Sequence, residues 1–219
     1  MDRWVAGVDR WNKADGESAR RSLLPQERRV SMKCLKETLE TERLVLRPFT
    51  LEDTDAFHRV IDEDPKNAGT ISLAQRREHI RAYVQNDMLN GAMGWWAVVL
   101  RADNSFIGRC GVDSYVADFV RIDEPTLRGP FNPVEVELAY HIKADLRRQG
   151  FAYEACCALV EYTFCETKLP RLVSVTSASN IPSQRLMRKL GFRLYENQHP
   201  HFSDEIVGVL ENDRLAVTE

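Results

Sequence analysis

VEVELAYHIKADLRRQGFAYEACCALVEYTFCE, residues Val134 to Glu166, is the stretch on which the fold turns. Its first nine residues alternate. Val136, Leu138, Tyr140 and Ile142 share one face of an extended chain, and Glu135, Glu137, Ala139 and His141 share the other, the period of a β-strand. A basic turn follows, Arg147-Arg148-Gln149-Gly150-Phe151-Ala152, and then a helical pattern with Ala155, Leu159, Val160 and Phe164 as core positions. A helix that begins at such a turn leaves its first backbone N–H groups unpaired. The macrodipole adds partial positive charge there, so the turn suits a phosphate or pyrophosphate. Gly150 permits close backbone approach, Ala152 adds little bulk, and Arg147 and Arg148 bring full positive charge.

Downstream of this unit, Pro170 punctuates and Leu172 to Thr176 reads as a strand. Asn180 is an N-cap, with Pro182 in the first turn of a helix carrying Leu186, Met187 and Leu190 and closed by Gly191. Two last strands, about Phe192 to Glu196 and Glu205 to Leu210, complete the pattern. Upstream, Arg43 to Phe49 is a strand ended at Pro48, and Thr50-Leu51-Glu52-Asp53 starts a helix to about Asp62. Ser72 starts a second helix with Leu73, Ile80, Tyr83, Val84 and Met88 on one side, ended by Gly91 and Gly94. Trp95 to Leu100 and Phe106 to Val112 flank the turn Asp103-Asn104-Ser105 as a hairpin. A long polar loop, Ala117 to Pro133, precedes the opening stretch; loops of this length commonly shape a substrate pocket. The order predicts an α+β fold with a mixed sheet, not a doubly wound one.

A chain of 219 residues with 43% hydrophobic and 29% charged residues suits one soluble domain with an appendage. Residues 1–37 mix both charge signs without a sustained apolar face and read as a flexible or loosely packed extension; the domain proper spans 38–219. Met32 directly precedes the well-patterned segment and is an alternative start. The net charge of −3 leaves no footprint for nucleic acid or an anionic membrane, and no apolar run spans a bilayer. Asp2, Arg3, Asp9 and Arg10 exclude a secretory signal. The five cysteines include no Cys-x-x-Cys pair, and Cys156, Cys157 and Cys165 fall on one helix, so they read as small buried residues in a reducing, cytoplasmic compartment.

The glycine turn alone is a weak signal. It is not a Walker loop, because no Gly-Lys-Ser/Thr follows, and the dinucleotide spacing Gly-x-Gly-x-x-Gly is absent. It does match Gln/Arg-x-x-Gly-x-Gly/Ala, with Arg147, Gly150 and Ala152 at the defining positions. Asn180-Ile181-Pro182-Ser183 then leads to Lys189-Leu190-Gly191-Phe192, and Glu42-Arg43-Leu44-Val45-Leu46-Arg47-Pro48 stands upstream in matching order. With these phrases the chain resembles the GCN5-related N-acetyltransferase (GNAT) superfamily over roughly residues 38 to 211, and most of all its branch of ribosomal-protein N-terminal alanine and serine acetyltransferases.

The resemblance implies a mostly antiparallel central sheet flanked by helices, with splayed central strands, and acetyl-CoA as acetyl donor without a metal. It implies that the backbone amides of Arg147, Arg148, Gln149, Gly150, Phe151 and Ala152 hold the pyrophosphate. It also implies that the pantetheine pairs along Tyr140, His141 and Ile142, and that Asn180, with Ser183 one turn later, contacts the donor. Glu137 matches the acidic position of the family's strand and is the candidate general base, with Glu135 as the alternate. The acceptor would be a primary amine, either a protein N-terminus or a small amine, attacked directly in a ternary complex by a monomer or homodimer. An ammonium attacks only once deprotonated, and a lysine-like amine has a pKa of about 10, so a base is required. The chain departs from the pattern at Met187, where many members carry a tyrosine that protonates the leaving thiolate; Ser183, Tyr153 or water would serve instead. The competing reading is a non-catalytic acyl-CoA sensor, which needs the phosphate turn but no base. Trp95-Trp96 reads either as an aromatic substrate wall or as sheet core, and His199-Pro200-His201 lacks the acidic or cysteine partner of a metal site.

Overall fold

The computed structural model describes residues 37–65, 71–116, 122 and 134–214. The expected N-terminal extension, apart from Glu37, and nearly all of the loop from Ala117 to Pro133 lie outside the described residues. Eight strands are described: β1 (Leu39–Glu40), β2 (Leu44–Arg47), β3 (Gly94–Leu100), β4 (Phe106–Val116), β5 (Val134–Ile142), β6 (Arg171–Ser177), β7 (Arg193–Glu196) and β8 (Glu205–Glu211). They form one sheet in the order β1-β2-β3-β4-β5-β6-β8-β7. Every neighbouring pair is antiparallel except β5 and β6. This is the expected mixed, mostly antiparallel α+β architecture.

Helices cover both faces of the sheet. On one, α3 (Phe151–Glu166) buries Phe151, Ala155, Cys156 and Leu159 against Leu138, Ile142 and Cys110. Leu138 and Leu159 are fully buried, worth about 2 kcal/mol each. This is the face expected for the alternating apolar set of β5. On the other face, α1 (Thr54–Phe57) and α2 (Leu73–Asn90) pack Phe57 and Ile80 on Ala97 and Val99. Leu73, expected among these, stands at the first position of α2 and is 44% exposed. The tryptophans divide between the faces as successive strand residues must. Trp96 is buried edge-on against Tyr162, whereas Trp95 stacks on Tyr83. Cys110 and Cys156 are buried with their Sγ atoms 3.7 Å apart, and Cys165, at the far end of α3, is exposed.

Two elements differ from the expected bounds. β4 runs on to Val116 because its pairing with β5 continues to Val116–Val134, although Asp113 and Ser114 are weak strand formers. The single helix expected from Thr50 is compound. The Thr50 N–H donates to Asp53 Oδ2 at 2.8 Å, and Arg47 clamps the same carboxylate at 2.7 and 2.8 Å, tightening residues 51–53 into a 3-10 turn. After α1, residues 58–62 widen into a π turn closed by Glu63 N–H donating to the His58 carbonyl at 3.0 Å. Arg76 of α2 fixes that turn through Asp62 at 2.7 and 2.8 Å. Wide turns of this kind often adjoin functional sites; here the turn delivers Asp64.

Candidate active site

β5 and β6 pair at one register position, Glu137 with Val173. Each strand is then held by its other neighbour, β5 by β4 and β6 by β8, and the two part. The gap is a cleft of about 510 Å³, lined on one side by residues 137–142 and on the other by residues 174–176. Backbone groups left unpaired between splayed strands can accept an extended ligand as an added strand. The basic turn, the start of α3 and one side of α4 (Ile181–Lys189) complete the walls.

The turn has the backbone geometry of an anion cradle. Arg148 has φ +61° and Gly150 φ +88°, both left-handed, and Gly150 caps the N-terminus of α3. Alternation of this kind turns successive N–H groups toward one concavity, and a non-glycine residue at positive φ marks stored strain of the sort found at ligand sites. Two tethers hold the shape. Arg43 of the β1–β2 connection donates to the Gln149 carbonyl at 3.0 Å and to Glu154 Oε2 at 2.7 Å, with its guanidinium 4.4 Å over the Phe151 ring. On the other side, Arg147 donates to the Ile142 carbonyl at 2.9 Å and pairs with Asp64, whose side chain is 1% exposed. His141 Nε2 lies 3.3 Å from both partners. Burial, then the Arg147 cation, holds the His141 pKa below its ordinary value, so the imidazole is neutral at neutral pH. Arg147 therefore lines the cleft but, contrary to the expectation from sequence, does not bring its full charge to it, because Asp64 has taken that charge. Gln149 does not line the cleft; its side chain donates back to the Asp145 carbonyl at 3.2 Å.

The other expected donor-site residues come together. Tyr140, His141, Ile142, Arg148, Gly150, Phe151, Ala152, Asn180 and Ser183 all line the cleft. Asn180 caps α4, its Oδ1 accepting from the Ser183 N–H at 3.4 Å, and its Nδ2 donates to Thr176 Oγ1 at 2.9 Å at the cleft wall. Ser183 Oγ is 2.8 Å from the Tyr140 hydroxyl, and burial pushes the Tyr140 pKa up. Met187 is fully buried and does not line the cleft. A Cβ placed on Gly208 would meet its sulfur at 2.8 Å, so the methionine occupies the space above that strand.

The two candidate carboxylates part company. Glu135 is 5% exposed and held by Arg171 through two bonds of 2.6 and 3.1 Å; it does not line the cleft. Its expected role as alternate base finds no support in this placement, since its oxygens serve a buried ion pair. Glu137 stands where the strands part. It accepts one bond, from the Val175 N–H at 3.2 Å, and has no cationic partner among the described residues. Burial raises its pKa, the Val175 bond opposes that, and Glu205 and Asp113 push it further up. Asp113 is its register partner across β4 and accepts from Trp95 Nε1 at 3.3 Å. Burial together with Glu205 and Glu137 also raises the Tyr115 pKa. Sequence reasoning missed Asp64, Asp113, Tyr115, Arg185, Lys189 and Glu205. Arg43 and Lys189 stood inside quoted phrases without a role; the others carry no local signal. Among the described residues no group of three His, Cys, Asp or Glu side chains could hold a metal, His199 and His201 included.

With this geometry in hand, the relatives fall into place. The family described as Acetyltransferase (GNAT) domain matches residues 43–193. An uncharacterized N-acetyltransferase, p20, of Bacillus licheniformis is 29% identical over 164 residues, covering 72% of this chain and 83% of the relative. An acetyltransferase structure from Agrobacterium tumefaciens superposes with a TM-score of 0.61 at 25% identity, over 80% of this chain and 94% of the other. A ribosomal-protein-S5-alanine acetyltransferase from Vibrio fischeri shares the fold, with a TM-score of 0.58 at 15% identity over 81% and 98% of the two chains. The chain belongs to the GNAT acetyltransferase family.

Proposed function

We propose that the domain over residues 38–219 transfers an acetyl group from acetyl-CoA to a primary amine by direct attack within a ternary complex. The observation that carries this reading is the position of Glu137: an unpaired carboxylate of raised pKa at the point where β5 and β6 separate, at the inner end of a cleft whose outer end is cationic. The residues fit the donor. The left-handed pair Arg148 and Gly150 presents backbone N–H groups to a diphosphate. Tyr140 to Ile142 offer strand backbone to the pantetheine amides, and Asn180 adds a side-chain amide.

The donor supplies an activated thioester. Glu137, directly or through one water, removes a proton from the acceptor ammonium, and the freed amine forms a bond to the thioester carbonyl carbon. The carbon–sulfur bond then breaks, and the thiolate takes a proton. The nitrogen sheds its second proton as the amide forms, and in this scheme Ser183 relays that proton to the thiolate, so its own hydroxyl is restored and the protons balance. The Tyr140 hydroxyl beside it keeps its own proton, because burial raises its pKa, and holds Ser183 in place. The absence of a tyrosine at Met187 is thereby accommodated.

A screen of small amines and N-terminal peptides with acetyl-CoA, read by release of the free CoA thiol, tests the reading. One acceptor class should give turnover well above hydrolysis. Absence of release with every acceptor, together with tight CoA binding, would favour an acyl-CoA sensor instead.

A further inference from the structure

Alternation along β5 separates the donor from what it meets. Leu138, Tyr140 and Ile142 face the core packed under α3, and the donor cleft lies on that side, walled by α3 and α4. Glu137 belongs to the opposite face, yet it lines the cleft because the strands part beside it. An amine that meets Glu137 without colliding with the donor therefore comes from the opposite face of the sheet.

Two further carboxylates stand on that face. Asp113 is the register partner of Glu137 across β4, and register partners point to the same side. Glu205 of β8 pairs with Ser177, two residues beyond Val175, whose N–H binds Glu137. The charges of both reach Glu137 and push its pKa up. Each is held by hydrogen bonds rather than by a cation. Asp113 accepts from Trp95 Nε1 at 3.3 Å and from the Ser114 N–H at 2.7 Å. Glu205 accepts from Nδ2 of the buried Asn197 at 3.2 Å. Neither has a cationic partner among the described residues. Arg109, also on this face, lies 4.2 Å from the Trp95 ring centroid and donates to the Tyr83 hydroxyl at 3.1 Å; it pairs with neither carboxylate. Beside them the sheet is apolar, with Val175, Val207, Tyr115 and Ile122 in one cluster. Like charges gathered without a counterion are destabilising, and a ligand that brings positive charge relieves this.

We propose that the acceptor is an amine bearing a second positive charge on a short apolar spacer: one ammonium gives its proton to Glu137, and Asp113 and Glu205 hold the charge that remains. This rests on the acetyl-transfer reading above and names the acceptor class for it. Asp113 and Glu205 touch no reacting atom in this scheme. They set specificity, through KM for the acceptor, while Glu137 does the chemistry.

Rates of CoA thiol release by the full-length protein test this, with acceptors matched in length and differing only in the second charge. Diaminobutane against butylamine is the free-amine arm. A peptide with lysine at its second position against one with norleucine there is the peptide arm. The second amine has a pKa of about 10 and is charged near neutral pH. In at least one arm the charged member should show a kcat/KM about tenfold higher, carried by KM, the order expected for charge-assisted hydrogen bonds. Higher salt should shrink that ratio. The Asp113→Asn/Glu205→Gln double variant, which keeps an oxygen for Trp95 and for Asn197, should bring the ratio close to one. Equal kcat/KM for charged and neutral members in both arms would overturn the acceptor class and leave acetyl transfer standing, and so would a ratio unchanged in the double variant. If no acceptor gave release while CoA still bound, the acetyl-transfer reading would fall, and the acceptor class with it.

Discussion

The two ends of β5 look alike in sequence, each with charged residues, and fold into opposite arrangements. At the N-terminal end, Glu135 is absorbed into a buried pair with Arg171, whereas Glu137, two residues on, is left with one backbone bond. At the C-terminal end, Arg147 is absorbed by Asp64 and bracketed by His141, whereas Arg148 is left open to the cleft. In each case one charge of a near-neighbour pair holds the fold and the other is available to a ligand. Charge and position alone therefore do not mark the chemistry; what marks it is the charge for which the fold supplies no partner.

The sharpest way to break this contrast is to strand the structural carboxylate. Arg171→Leu leaves Glu135 buried without its cation, and breaking a buried pair costs about 3–5 kcal/mol. Chemical denaturation should register that loss, while kcat per folded molecule stays near wild type. A large fall in kcat at unchanged stability would instead put Glu135 into the chemistry. At the other end, Arg148→Glu should raise KM for acetyl-CoA by at least about tenfold by replacing an attraction to phosphate with a repulsion; an unchanged KM would remove Arg148 from the donor site. The smallest effect is expected from Asp64→Asn, which keeps the shape and removes the charge that fixes Arg147. KM for acetyl-CoA should change by a few fold with kcat nearly constant, and Arg147→Ala in the Asp64→Asn background should add little, since the two act as one tether.

Much of this was legible in the chain before folding. The alternation of β5, the glycine turn and the Asn180 cap are local patterns, with causes within a few residues. The splayed cleft followed from resemblance rather than from periodicity, which cannot say where two parallel strands part. The tethers were not legible. Asp64 stands 83 residues before Arg147, and Glu135 36 residues before Arg171; nothing in either segment announces the other. Arg185 and Lys189 read as ordinary solvated helix residues until α4 is seen to wall the cleft. β4 was read four residues short because Asp113 and Ser114 break its apolar pattern, yet Asp113 proves to be the carboxylate paired in register with Glu137.

The central claim is that Glu137 removes the acceptor's proton. The direct measurement is acetyl transfer by wild type and Glu137→Gln in parallel, as a function of pH, with CoA affinity measured on the same samples. Glutamine retains an oxygen for the Val175 N–H, so folding and CoA affinity should be unchanged. The wild-type rate should fall as pH drops through a value above the ordinary carboxylate pKa of about 4.3, because the base works deprotonated and its folded pKa is raised. Glu137→Gln should lose about 10²–10³-fold in kcat, together with that acidic limb. Equal rates for the two proteins, or an acidic limb that survives the substitution, would contradict the assignment.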